Sequence, residues 1–177
     1  INFLKGNIKI AEEGFTYIIS LDNKNAAAHY ELGICHYYRA NLLDAIKSFE
    51  TVISLENGFS MARYWLGKCH KDLFQYEKVI EEYQILFEQF PEWAGIACDL
   101  GLSFERIGNT PEAIKYFEKV TKLTKSNMIA YYHLGDLYFK SGNWIKSMNA
   151  YKEGLMINPD STLIKERIEY LKSAEMP

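Results

Sequence analysis

Basic excess, long apolar runs and cysteine are all scarce in this chain, and each scarcity closes off a class of function. Lysine and arginine total 20 against 23 acidic residues, a net charge of −3. That balance offers no basic footprint for phosphate backbones, so no nucleic-acid partner is expected. No apolar stretch approaches the roughly 20 residues that a membrane-spanning helix needs, so this segment is not expected to insert in a bilayer. The three cysteines, at 35, 69 and 98, are too few and too scattered for a disulfide framework. No apolar–polar alternation reads as a strand, and no low-complexity segment or linker interrupts the chain. No signal peptide is legible, which leaves the cytoplasm as the default address. A chain opening on Ile1 is expected to continue upstream, where a targeting segment would lie.

What the chain does have is a period. Leu32-Gly33, Leu66-Gly67, Leu100-Gly101 and Leu134-Gly135 follow one another at intervals of 34 residues, with no insertion. An aromatic column runs through Phe15, Phe49, Tyr83, Phe117 and Tyr151, and a small-residue column through Ala11, Ala45, Val79, Ala113 and Ser147. A period of this length marks an array of helix-turn-helix units, each too small to bury a core unaided. Helix A of each unit is expected over about 26–39, 60–73, 94–107 and 128–140, and helix B over about 8–21, 42–55, 76–89, 110–123 and 144–157. Asn41, Thr110, Asn143, Ser60, Asn127 and Ser161 stand where N-caps belong. Gly6, Gly108 and Gly142 mark the A-to-B turns, with Ala40 and Phe74 in the same column.

The Leu-Gly pairs, the ring-bearing residues four positions after each leucine (His36, His70, Phe104, Tyr138), the Ala-x-x-x-Phe spacing and the closing Pro91 and Pro159 resemble the tetratricopeptide repeat family. The resemblance covers nearly the whole chain. It departs where the family places Trp, three before the leucine: here His29, Arg63, Ala97 and Tyr131. It implies an all-α fold, a right-handed α-solenoid of stacked antiparallel helix pairs with a C-terminal capping helix. On that reading residues 1–177 are a single domain: a partial repeat 1–25, full repeats 26–59, 60–93, 94–127 and 128–161, and a cap at 162–175. Ile1 to Lys5 would be the stub of a first helix A. Lys165, Glu169 and Lys172, on the arc that would face a further helix B, are expected to close the array in solvent.

At 100° per residue, helix A divides into three arcs. Ala28, Leu32 and Cys35 should meet the preceding helix B. His29, Gly33 and His36 should face their own helix B, glycine there admitting a close approach. The third arc should be polar in a lone amphipathic helix, yet it is rich in rings. In the family this arc lines a concave groove where peptides or partner helices dock, so the resemblance implies partner-binding residues at Tyr30, Ile34, Tyr37, Tyr64, Lys68, Lys71, Leu102, Glu105, Tyr132, Asp136 and Phe139. Trp65, beside Tyr64, falls at the edge of that face, whereas Trp93 and Trp144 are expected to pack between units. One family subtype grips chaperone tails through a Lys two before the leucine and an Asn two after it. Those sites read Tyr30 and Ile34, then Tyr64 and Lys68, so that clamp is missing.

Chemistry finds little to use. Cys35-His36 and Cys69-His70 are repeat-equivalent, but equivalent sites in neighbouring units lie on the order of 10 Å apart, whereas zinc ligands converge within about 2.0–2.3 Å. No metal, cofactor or catalytic residue is expected. The acidic pairs Glu12-Glu13 and Glu81-Glu82 read as solvated charge on the outer faces of B helices. The expected function is therefore a protein-interaction scaffold that holds a peptide or helical segment of a partner protein. Two alternatives stay open: a self-assembling scaffold that forms homo-oligomers through its N-terminal end or outer face, and the recruiting or regulatory arm of a larger protein.

Overall fold

A computed structural model of the chain describes residues 7–173. The expected helix stub at Ile1 to Lys5, the turn glycine Gly6 and the last two residues of the expected cap lie outside them. Among the described residues there are ten helices and no strand: α1 (Ile8–Leu21), α2 (Ala26–Tyr38), α3 (Leu42–Leu55), α4 (Ser60–Asp72), α5 (Tyr76–Gln89), α6 (Ala94–Arg106), α7 (Thr110–Leu123), α8 (Met128–Lys140), α9 (Trp144–Ile157) and α10 (Thr162–Ser173). Even-numbered helices up to α8 are the A helices and odd-numbered ones the B helices. The chain divides into two compact units, Ile1–Leu86 and Phe87–Pro177, with the boundary inside α5.

Local chemistry sets the helix ends. The Asn25, Asn109, Asn127 and Asn143 side chains accept hydrogen bonds from the backbone N–H groups three residues on, satisfying donors the helix cannot. Two expected caps are displaced by one residue: Thr110 and Ser60 are first helical residues, and Asn109 and Phe59 precede them. Asn41 occupies its cap position without a side-chain bond. Each A helix closes with the same bond, from the N–H of residues 41, 75, 109 and 143 to the carbonyl five residues back. That closure needs a left-handed residue just before the donor. Gly108 and Gly142 meet the need freely, whereas Ala40 (φ 61°) and Phe74 (φ 57°) meet it under strain.

In the first unit, the Phe49 ring of α3 lies over Gly33 of α2, and the Tyr83 ring of α5 lies over Gly67 of α4. The core here runs through Ala26, Ile34, Ala45, Ile46, Phe49, Val52, Ala62, Leu66 and Cys69. In the second unit, Phe117 of α7 covers Gly101 and Tyr151 of α9 covers Gly135. The four rings are at most 1% exposed. Ser147 takes the small-residue column in α9 and donates its buried hydroxyl to the Gly135 carbonyl at 2.8 Å. Helix α10 buries Ile164, Ile168 and Leu171 against Tyr151.

Candidate functional site

Every candidate from the sequence lies on the third arc of an A helix, α2, α4, α6 or α8. In the first unit that arc is a seam. Trp65 of α4 donates its indole N–H to the Tyr30 hydroxyl of α2 at 3.1 Å, and Tyr37 donates its hydroxyl to Asp72 at 2.6 Å. Both pairs join a residue to the one just past its equivalent in the next A helix, 35 positions on. Ile34 lies between Tyr30 and Tyr37 and is 6% exposed, so it is a core residue and not a surface for a partner. Burial raises the pKa of Tyr30, against the Trp65 bond, and raises that of Tyr37 together with the Asp72 carboxylate. Both phenols therefore stay neutral, Tyr30 accepting from Trp65 and Tyr37 donating to Asp72.

The same seam runs through the second unit. Lys140 reaches Glu105 at 3.4 Å, and Arg167 of α10 reaches the Tyr132 hydroxyl at 3.3 Å. Glu105 also lies 2.8 Å from His133 Nδ1, whose ring stacks on Phe117. Burial would raise the Glu105 carboxyl, but His133 and Lys140 outweigh it and hold the group below its usual range. Asp136 accepts from the Tyr151 hydroxyl at 2.5 Å and pairs with Arg167 Nε at 3.1 Å. Phe139 packs edge-on against Trp144 and Tyr170. Glu105, Tyr132, Asp136 and Phe139 thus spend their side chains on internal partners. The sequence placed them on a partner-facing surface because it could not show the seam.

The open face of each A helix lies one residue further round. In the first unit it comprises Glu31 and Tyr38 on α2, and Met61, Trp65, Lys68 and Asp72 on α4, all exposed or half-buried. Lys68 is the one candidate from the sequence that sits fully on this face in the first unit. Its ammonium lies 4.7 Å from the Trp65 ring centroid and 5.1 Å from that of Tyr37. Trp65 in turn meets Tyr37, Tyr38 and Tyr64 edge-on. Tyr64 also stacks on Tyr83 of α5, and Lys71, further along α4, is half-buried. In the second unit the face carries Asp99, Leu102 and Arg106 on α6, and Ile129, His133 and Lys140 on α8. Tyr38, 55% exposed, and Met61, 44% exposed, were missed. The available signal is indirect: the ring–ring match at 30/65 and the polar match at 37/72, each 35 positions apart, mark Tyr30 and Tyr37 as a seam and leave the residues next round the helix open.

Metal and catalytic readings gain nothing from the geometry. Cys35 and Cys69 are fully buried, and burial pushes the Cys69 thiol up to about 12, with Asp72 adding to the shift and Lys68 opposing it. His70 is 3% exposed and bonds Gln75 at 2.8 Å. Among the described residues no three His, Cys, Asp or Glu side chains converge as metal ligands. Nor is any helix there long and apolar enough to cross a membrane. Two of the outer acids are not simply solvated: Glu12 pairs with Arg39, and Glu82 with Arg63 at 2.8 Å.

The tetratricopeptide repeat pattern matches residues 94–127 and 129–161. No curated protein matches the sequence. Solved structures do share the fold. YrrB, described as a TPR protein with an unusual peptide-binding site, is 21% identical with a TM-score of 0.84, over 93% of this chain and 84% of its own. MamA is 22% identical with a TM-score of 0.79, over 88% of this chain and 91% of its own. A tetratricopeptide repeat protein from Parabacteroides merdae ATCC 43184 is 20% identical with a TM-score of 0.78, over 96% of this chain and 67% of its own. At these identities the likeness concerns the fold, an all-α helical solenoid.

Proposed function

The chain is a tetratricopeptide repeat protein, and from that premise we propose that the A-helix face of its first unit docks a peptide segment of a partner protein. The fold supports a protein-interaction scaffold in general; the peptide, the face and its residues are our reading. One observation carries it. Lys68 is held over two aromatic rings and, among the described residues, has no ion pair. A lysine so placed favours an incoming carboxylate, while Tyr38 and Trp65 present large, stiff, amphipathic area beside it. The matching segment has an acidic side chain next to an aromatic or aliphatic anchor. Catalysis forms no part of this role.

Selection from a displayed random-peptide library tests the reading, with affinities measured by calorimetry. Acidic peptides with an apolar neighbour should emerge. Replacing Tyr38 and Lys68 together by alanine should weaken them by about 1–3 kcal/mol, the cost of losing interface anchors. Selected peptides that bind the double variant as tightly as the original protein would place the site elsewhere.

A further inference from the structure

In the second unit, α8, α9 and α10 border an open-sided cavity of about 230 Å³ lined by Asp136, Phe139, Lys140, Tyr151, Arg167, Tyr170 and Leu171. Its walls are of two kinds. Phe139 and Tyr170 stand edge to face at 5.7 Å, and Leu171 extends that apolar side. The polar lining is Lys140, Arg167 and the Asp136 carboxylate. That carboxylate is already answered by the Tyr151 hydroxyl and Arg167 Nε. Arg167 uses Nε on Asp136 and one terminal nitrogen on Tyr132, which leaves guanidinium N–H groups over. Lys140 keeps a single ion pair at 3.4 Å with Glu105, and its side chain is 58% exposed.

We propose that this cavity binds an amphipathic carboxylate, its anion between Lys140 and Arg167 and its apolar group against Phe139 and Tyr170. The volume suits a single amino-acid residue, being below the roughly 300–1,000 Å³ of drug-sized pockets. A carboxylate there completes the donor capacity of both cations, while the apolar group covers ring surface that is otherwise wet. Two sources share this chemistry: the terminal residue of a polypeptide, and a small free acid of the same shape. The site is independent of the peptide face on the first unit.

Calorimetry with the full chain tests it, using the pentapeptide Ala-Ala-Ala-Ala-Phe as free acid, its C-terminal amide, and N-acetylphenylalanine. The alanines carry neither the acid nor the anchors expected at Lys68. The free acid should bind at least tenfold more tightly than the amide. Lys140→Gln should weaken it roughly tenfold, the scale of a charged hydrogen bond, and Tyr170→Ala should weaken it too. Lys68→Ala should leave it unchanged. Arg167→Gln would also release Asp136 and Tyr132, so Lys140→Gln, on an exposed side chain, is the deciding variant. N-acetylphenylalanine binding as well as the pentapeptide assigns the site to small acids; tighter pentapeptide binding assigns it to a chain terminus. Equal affinity for acid and amide, no binding at millimolar pentapeptide, or binding of phenethylamine in its place overturns the proposal.

Discussion

The sharpest quantitative consequence of the repeat geometry concerns the glycines beneath the aromatic column, because the four notches differ in depth. A methyl group at Gly135 would sit 2.6 Å from Tyr151 Cζ and 2.5 Å from Cδ1, with Cε1 nearer still. At Gly67 it would meet Tyr83 Cδ1 at 2.6 Å, and at Gly33 Phe49 Cε1 at 2.7 Å. At Gly101 the nearest Phe117 atoms are 3.1 Å away. Carbon atoms pack comfortably at about 3.5–4.0 Å, so Tyr151 would have to retreat by about an ångström and Phe117 by a few tenths. Tyr151 cannot slide cheaply: it is 1% exposed, and its hydroxyl is bonded to Asp136, itself held by Arg167. Overpacking of this kind costs about 1–3 kcal/mol, while alanine in place of glycine returns about 0.8–1 kcal/mol of helix propensity. Gly135→Ala, at the deepest notch, should therefore lose up to about 2 kcal/mol net, and Gly67→Ala a similar amount. Gly101→Ala should fall near neutral. Gly14 in α1 has nothing within 4 Å of a built Cβ, so Gly14→Ala should gain about 0.5–1 kcal/mol. Urea midpoints followed by circular dichroism read the series. If Gly135→Ala and Gly101→Ala proved equally stable, ring-over-glycine contact would not be what limits the approach of helices A and B.

Two further outcomes follow from strain and from charge. Phe74→Gly should raise the unfolding free energy by about 1 kcal/mol, and the denaturation midpoint with it: it relieves a left-handed residue costing about 1–2 kcal/mol and forfeits little burial, the ring being 75% exposed. A midpoint that stays put or falls would show that the Phe74 ring is held by contacts stronger than the strain. Glu105 has a folded-state pKa below its ordinary value of 4.5. Its contribution is therefore complete above pH 4.5 and is lost as pH falls through the lower, folded value. Glu105→Gln should cost thermal stability at pH 7 and converge on the parent protein under strong acid; parallel curves across that range would contradict the pairing with His133 and Lys140.

Much of the architecture was legible because each repeat states it again. The 34-residue period placed the B helices at their observed bounds and the A helices to within one residue, and it aligned Ala40 and Phe74 with turn glycines before any φ angle was known. The candidate surface was legible only in part. Lys68 was named and lies on the open face, but Ile34 went into the core, and Glu105 and Asp136 went to partners 28 to 35 residues away. Angular position on one helix says which residues share a face. It does not say what covers that face, since a neighbouring A helix is an element the helical wheel does not contain.

The sequence by itself determined the helices, their turns and the glycine–aromatic notch, since these depend on contacts within one repeat and recur with every copy. Only tertiary structure decided which arc of each A helix stays open. Within each unit, successive A helices meet with a one-residue offset, and on a helix one residue is a rotation of about 100°, enough to carry a side chain from the seam to the surface.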